Sequence, residues 1–329
     1  MPSLLTASDI GELRDRILMG GEIGFEEALS LIQTEDDDLY QTLIAAAREI
    51  TLFFNSNQAH LCSLINAKSH LCHEDCGFCS QSVKYKTETP AYPLLSAQEI
   101  LSAAKTVEAQ GIPNFCIVTS GGSLSDAEFE SIVETVKRLK RETTLNIDGS
   151  LGFLTPERVE RLKVAGMRRF NDNLQSSREF YPEIVSTHSY DVRLQTLDYL
   201  REGGMDLCSG GIFGMGETAE DRVKMAFELK KYEPECVPIN VLNPRPGTPL
   251  ENAPKIDPKD VIQAIAVYRF ILPKSNIKLA GGRELNLGEA QLEALRAGAN
   301  GLVSGGYLTT GGNSFQTDKA MLKAAGYET

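Results

Sequence analysis

The sequence is short of positive charge, of long apolar runs and of an even set of cysteines, and each shortage removes a class of function. Lys and Arg number 33 against 45 Asp and Glu, giving a net charge of -12 over 329 residues. Nucleic acid binding draws on clustered cations, so a polyanion partner is not expected, and the basic run from Lys137 to Arg141 reads as a solvated helix face. No apolar stretch is long enough to span a membrane. The opening residues, Met1-Pro-Ser-Leu-Leu-Thr-Ala-Ser-Asp9, have neither the basic flank nor the apolar core of a secretory signal, so a cytoplasmic protein is expected. Seven cysteines without such a signal fit reduced thiols and metal ligation better than a disulfide framework. Low-complexity linkers and internal repeats are also missing. With 42% hydrophobic content the chain has enough apolar material for one large catalytic domain.

What is present is an alternation. Residues 8–54 carry apolar positions at helical spacing (Leu13, Ile17 and Leu18, then Ala28, Leu29 and Ile32, then Leu43, Ile44 and Ile50), which predicts about three helices packed outside the main body. From residue 61 onward, short apolar runs alternate with helical segments: 61–67, 114–119, 144–149, 167–171, 206–212, 237–242, 277–280 and 301–304. The helices between them carry start and stop signals. Ser96 with Glu99 and Ser125 with Glu128 form capping boxes, Thr155-Pro156 and Asp257-Pro258 pair an N-cap with a first-turn proline, and Gly111 and Gly166 suit left-handed ends. Eight such units predict an α/β protein of the TIM-type (β/α)8 barrel, residues 56–329, with an N-terminal helical extension, residues 1–55. Chemistry in that fold sits at the C-terminal ends of the strands.

Directly after the first candidate strand comes Cys72-His-Glu-Asp-Cys76-Gly-Phe-Cys79. This C-x3-C-x2-C spacing offers three thiolates and withholds a fourth, which leaves an iron open to a reactant. Electron-carrying clusters usually have four cysteine ligands, and zinc sites close with four Cys or His. Closure of a zinc knuckle by His70 or His73 is the plain alternative, but zinc loops normally bring a second ligand pair. The triplet resembles that of radical S-adenosylmethionine enzymes, whose open iron chelates the cofactor's methionine part. A second motif, Ser209-Gly-Gly-Ile-Phe-Gly-Met-Gly-Glu217, contains a loose G-x-G-x-x-A match of dinucleotide enzymes at Gly214, Gly216 and Ala219. That fingerprint normally opens a first βα unit, whereas here it lies in the fifth.

Beyond the triplet, the chain resembles the biotin synthase family from about Asn55 to its C-terminus. The matching stretches are Asn66-Ala-Lys-Ser69, Cys79-Ser-Gln-Ser82, Phe170-Asn-Asp-Asn-Leu174, Leu207-Cys-Ser-Gly-Gly-Ile212, Val237-Pro-Ile-Asn240 and Ala280-Gly-Gly-Arg-Glu284. The resemblance implies conversion of dethiobiotin to biotin. An electron from a flavodoxin or ferredoxin-type donor enters a 4Fe-4S cluster on the triplet and cleaves S-adenosylmethionine, and the 5'-deoxyadenosyl radical removes hydrogen from the substrate. The carbon radical then takes sulfide from an auxiliary iron–sulfur cluster. A homodimer is implied as well. By the same resemblance Asn171, Asn173 and Asn240 hold the substrate's ureido ring and the cofactor. Phe78, Gly121, Gly122, Gln175, Gly214 and Gly216 lie against the cofactor, and Arg193 stands near its carboxylate. Gln175 departs from relatives with an acid toward the ribose.

The auxiliary cluster is the larger departure. The family pattern uses three cysteines and an arginine. Cys116, Cys208 and Arg283 match it, and Asp148 stands where the third cysteine is expected. A carboxylate is a harder ligand than thiolate. Cys62, at about 3.3 Å rise per residue, is expected deep below the triplet, where it can replace the missing ligand if its side chain faces inward. The expectation is therefore a rearranged cluster on Cys62, Cys116 and Cys208 with Arg283 near or on the fourth iron, of a four-iron type rather than 2Fe-2S. Cys236 reads as a buried inert thiol. Two other readings stay open. One is a related radical enzyme of hydrogenase-maturation or pyrrolysine-pathway type, against which Cys116, Cys208 and Arg283 together argue. The other is a non-catalytic iron–sulfur electron carrier, which a three-cysteine open site fits poorly.

Overall fold

The computed structural model describes residues 5–329. Three helices come first, α1 (Ala7–Leu18), α2 (Phe25–Ile32) and α3 (Asp37–Asn55). Each starts at a polar or glycine cap; Thr6, for example, exchanges bonds with Asp9 in a capping box. The apolar faces of α2 and α3 lie on the helix Pro258–Ile271, in which every residue from Val261 to Ile271 is buried, and α1 packs on α3. A barrel helix covered on both sides must satisfy its polar side chains internally. Gln263 donates to the carbonyls of Leu31 and Thr34, and Arg269 donates to those of Gly298, Pro273 and Ser275. Burying large aliphatic side chains such as Leu31 and Leu43 on this contact is worth roughly 1.5–3 kcal/mol each.

The strands are β1 (His60–Lys68), β2 (Asn114–Thr119), β3 (Asn146–Ser150), β4 (Arg169–Asn171), β5 (Asp206–Cys208), β6 (Gly211–Phe213), β7 (Cys236–Val241), β8 (Asn276–Leu279) and β9 (Gly301–Val303). All pairings between them are parallel, β9 joins β1 to β8, and Cys208 of β5 pairs with Cys236 of β7, so the sheet closes into a barrel of eight staves. The expected fifth strand is two pieces. At Gly210 the chain presses against β7 so closely that a Cβ there would lie 2.1 Å from the Pro238 carbonyl oxygen, and pairing resumes in the same register at Gly211 with Ile239. The capping signals form as expected at Ser96, Ser125, Thr155 and Asp257.

Alternation along the strands decides what the barrel holds. Phe115, Ile147, Phe170, Val237, Ile277 and Leu302 point outward and are buried under the helices. Their neighbours of opposite parity face inward. In barrels of this type the interior is usually packed with branched aliphatic side chains. Here it holds Cys62, Cys116, Asp148, Asn171, Cys208 and Lys278 around a cavity of about 420 Å³.

Candidate active site

The upper end of this cavity is formed by the loop that follows β1. Val83 N donates to the Cys72 carbonyl at 2.8 Å, and Gly77 N to that of Ile184 at 2.8 Å. The Asp75 carboxylate accepts from the backbone N–H groups of Ser186 and Thr187 at 2.9 and 3.1 Å. Partial burial opposes its charge, but these bonds hold its carboxyl well below the usual carboxylate range. The loop is thus fixed by backbone and carboxylate contacts, which leaves its thiols free. Cys72, Cys76 and Cys79 all line the cavity, none is in a disulfide, and neither His70 nor His73 lines it. His70 instead accepts from Leu71 N at 2.9 Å. Burial pushes the Cys76 thiol up to about 12 and raises that of Cys79. Such thiols stay protonated until a metal displaces the protons.

Around the loop stand most of the expected cofactor residues. Phe78, Gly121, Gly122, Asn171, Asn173, Gln175, Arg193 and Asn240 line the same cavity. A Cβ at Gly122 would lie 2.6 Å from the Glu74 carboxylate and push that side chain aside. Asn171 donates to the Cys208 sulfur at 3.2 Å and to Asn173 at 3.3 Å, while Asn173 Oδ1 accepts from Gly210 N at 3.1 Å. Asn240 is doubly committed, accepting from Gly281 N at 2.9 Å and donating to the Gly211 carbonyl at 3.1 Å. Gln175 sits at φ +71°, and its side-chain oxygen is buried without a partner. Arg193 donates to Asp172 and, at 2.8 Å, to the Tyr181 hydroxyl. His188 bonds Glu74 beside it at 2.7 Å. Asp172 and His188 escape sequence reasoning because neither belongs to a metal-ligand spacing.

Gly214 and Gly216 do not line the cavity. Their turn is closed by its own acid, Glu217, whose carboxylate accepts from Gly214 N and Met215 N at 2.8 Å each and from Arg222 Nε at 2.8 Å. With the Glu217 carboxylate already on the Gly214 and Met215 N–H groups, the turn presents negative charge where a phosphate would have to sit, so the dinucleotide reading fails here.

The lower end of the cavity brings Cys62, Cys116 and Cys208 together from β1, β2 and β5. Burial pushes the Cys62 thiol up to about 11 and raises that of Cys116 well above its ordinary value. Cys208 moves the other way, helped first by a hydrogen bond from Cys236. Cys236 is wholly buried beside it, does not line the cavity, and accepts from Arg169 Nη1 at 3.1 Å. Arg169 also holds Asp148 in an ion pair of 2.5 Å with both side chains buried. Among the residues that sequence reasoning missed, Lys278 stands out. It is 2% exposed and lines the cavity. Burial works against its charge, but Cys208, Cys236 and Cys62 raise its affinity for the proton. The signal was a lone lysine between Ile277 and Leu279 in a buried strand.

Arg283 corrects the expectation made for it. Its guanidinium is 1% exposed but lies off the cavity, donating to Tyr307 at 2.9 Å, to Gln291, to the Val303 carbonyl at 3.3 Å and to both oxygens of Asp318 at 2.8 Å. With its donors satisfied in this way, it is a structural clamp between β8 and the C-terminal helix Phe315–Ala324.

Comparison with known proteins agrees with the geometry. Residues 68–229 match the model of the Radical SAM superfamily, and residues 238–328 that of the Biotin and Thiamin Synthesis associated domain. Biotin synthase of Clostridium tetani is 43% identical over 96% of this chain and 97% of the relative. Biotin synthase of Gloeothece citriformis is 45% identical over 96% of this chain and 90% of the relative. Among solved structures, methylornithine synthase superposes with a TM-score of 0.84 at 21% identity, covering 96% of both chains. The FeFe-hydrogenase maturase HydG of Carboxydothermus hydrogenoformans gives 0.82 at 20% identity over 97% of this chain and 79% of the other. At such identities these two structures speak for the fold alone.

Proposed function

Because the chain belongs to the biotin synthase family, it is a radical S-adenosylmethionine enzyme that inserts sulfur into dethiobiotin, and we propose that the sulfur comes from an auxiliary cluster held by Cys62, Cys116 and Cys208 beneath Lys278. At the upper end, a 4Fe-4S cluster with S-adenosylmethionine would supply the radical chemistry that removes hydrogen from unactivated carbon. Cys72, Cys76 and Cys79 are its ligands in this reading, and their donor set fits, because three soft thiolates without a fourth leave one iron free. Phe78 and the Gly121-Gly122 turn would flank the cofactor, and Arg193, paired here with Asp172, would stand near its carboxylate. Asn171, Asn173 and Gln175 offer neutral amides to the cofactor and the substrate ring without giving up a hydrogen easily. The enclosed barrel keeps water from the radical and fixes the distance to the sulfur.

The observation that carries the lower site is the joint placement of three inward thiols and one buried lysine, with Asp148 already paired to Arg169. An ion-paired carboxylate is a poor substitute for thiolate, so Cys62 is the replacement for the cysteine absent at position 148. Lys278 takes the role first assigned to Arg283, offsetting the charge of thiolates and sulfide. A four-iron auxiliary cluster suits this softer, more cationic chamber in our reading. The test is anaerobic incubation with S-adenosylmethionine, dithionite and dethiobiotin, following biotin by mass spectrometry alongside iron and sulfide content. Cys62→Ala holding the wild-type auxiliary iron and sulfide overturns the ligand assignment. We also propose a cytoplasmic homodimer served by a flavodoxin or ferredoxin-type donor, checked by light scattering and donor-dependent turnover. No helix among the described residues is long and apolar enough to cross a membrane.

A further inference from the structure

Of the four cysteines on strands, Cys236 is the one with no part in the reaction, and it stands at the seam that closes the barrel. It is the register partner of Cys208 across β5 and β7. Ser209 N donates to the Cys236 carbonyl at 3.0 Å, and the close approach of Gly210 to Pro238 pins the two strands together just above. Register partners on neighbouring strands stand about 5 Å apart at Cα, inside the window of about 4.4–6.8 Å that a disulfide spans. No other strand cysteine pairs with a cysteine: Cys62 pairs with Asn114 and Val303, and Cys116 with Leu64 and Asp148. Cys62 and Cys116 are offset by two residues, which puts them about 8 Å apart and beyond that window.

Both sulfurs of the pair are held by donors from β4. Asn171 Nδ2 lies 3.2 Å from the Cys208 sulfur and Arg169 Nη1 3.1 Å from that of Cys236, while His60 Nε2 stands 3.6 Å from Cys236. Donors aimed at a sulfur favour its electron-rich, nucleophilic form. The two thiols differ in access. Cys208 lines the cavity, so a small reagent entering at the mouth reaches it, whereas Cys236 is wholly buried behind it. An accessible thiol backed by a buried one is the arrangement of an attacking and a resolving cysteine.

We propose that Cys208 and Cys236 form a reversible oxidation site for hydroperoxides in the iron-free protein. The Cys208 sulfur attacks a peroxide oxygen, the O–O bond breaks, and the remainder leaves as an alcohol, or as water from hydrogen peroxide, giving Cys208 sulfenic acid. The Cys236 sulfur then attacks that of Cys208, and the sulfenic hydroxyl leaves as water with the Cys236 proton. Together the two thiols are oxidised by two electrons, and the hydroperoxide is reduced by two. Without a neighbouring thiol, a sulfenic acid climbs to sulfinic and sulfonic acids that a dithiol does not reverse. Cys236 thus keeps Cys208 recoverable. That the disulfide also bars iron from the lower set rests on reading Cys208 as one of its ligands.

The test treats the full iron-free chain with a small excess of hydrogen peroxide, blocks free thiols with iodoacetamide and digests the protein with trypsin without reductant. Cleavage after Arg201, Arg222, Lys231 and Lys255 places Cys208 and Cys236 on separate peptides that carry no other cysteine. The expected product is these two peptides joined and lighter by two hydrogens, with dithiothreitol restoring both thiols. This reading uses the unaltered chain and needs no variant to fold. Reconstituted enzyme, whose Cys208 is committed to iron, is expected to give less of the joined product. Cys236→Ser keeps the side chain's size but cannot resolve, and is expected to leave about tenfold less Cys208 recoverable by dithiothreitol, the rest carrying added oxygen. Absence of the joined peptides, or equal recovery of Cys208 in variant and unaltered chains, overturns the site. Joined peptides in a protein that still takes up all its auxiliary iron support the site and overturn Cys208 as a ligand.

Discussion

The two ends of the barrel cavity hold cysteine sets of the same size built in opposite ways. Cys72, Cys76 and Cys79 lie within one loop whose shape is set by its own backbone contacts. Cys62, Cys116 and Cys208 come from three strands and meet only once the barrel closes. The upper set faces the surface and an entering electron, while the lower set is buried with Lys278, Asp148 and Arg169. A loop site can be assembled locally and exchanged between proteins as a motif. A site made by strand alternation depends on the whole sheet, and its ligands can shift from one stave to another without leaving a local pattern.

The sharpest way to break the comparison is to remove one thiol from each set. Cys76→Ala is expected to abolish both 5'-deoxyadenosine and biotin, since the open-iron site loses a ligand. Cys62→Ala is expected to abolish biotin while 5'-deoxyadenosine still forms in the presence of dithionite, and Cys236→Ala to change neither product beyond a few fold. If Cys62→Ala and Cys236→Ala behave alike, the lower set has been assigned wrongly.

Next in size is the charge of Lys278 beside the lower set. Lys278→Met keeps the side chain's length and removes its cation, and biotin formation is expected to fall about 10–100-fold, as when a residue bordering metal ligands is lost. Its auxiliary iron would also become easier to remove with a chelator, while cleavage of S-adenosylmethionine driven by dithionite is unaffected. Arg283→Met, by contrast, is expected to lower the melting temperature, because it strands Asp318, which is 0% exposed, without its partner.

A stability test follows for the ion pair that keeps Asp148 from the lower set. Arg169→Met leaves a buried carboxylate unpaired and is expected to destabilise the fold by roughly 3–5 kcal/mol, measured by urea denaturation of the iron-free protein. Asp148→Asn with Arg169→Met removes both charges and should recover most of that loss. Failure of the double variant to recover stability would mean that Arg169 acts mainly through Glu235, Cys236 and His60.

How much of this was legible in the sequence follows the same division. The triplet, the capping boxes and seven of the eight staves could be read from local spacing, and only the fifth was misjudged in form, because the pinch of Gly210 against Pro238 is a contact between strands. Asn171, Asn173 and Asn240 reached the cavity through matched stretches of sequence. Arg283 was misplaced for a local reason: Gly282, at φ +79° and packed on the Val241 carbonyl, turns the chain away from the barrel just before it. Lys278 has the parity of Ala280 just past the strand and so faces inward, but a single lysine in a four-residue strand carries no spacing to recognise.

The smallest expected effect concerns protons. In the iron-free protein burial pushes the Cys62 thiol from its ordinary value of 9.0 up to about 11. A raised thiol value means that the folded chain holds the proton more tightly than the unfolded one. Its contribution to stability is therefore intact below pH 9 and lost as pH rises toward 11. At pH 10 the loss from this one group is about 1 kcal/mol. Thermal melts of the iron-free protein at pH 8 and pH 10 should thus differ by more than those of Cys62→Ser, which has no thiol to ionise. Iron removes the difference by taking the thiolate itself, so the reconstituted protein should show less of this alkaline loss. An equal alkaline loss with and without iron would argue that Cys62 stays a protonated bystander, and that the lower set is held by other residues.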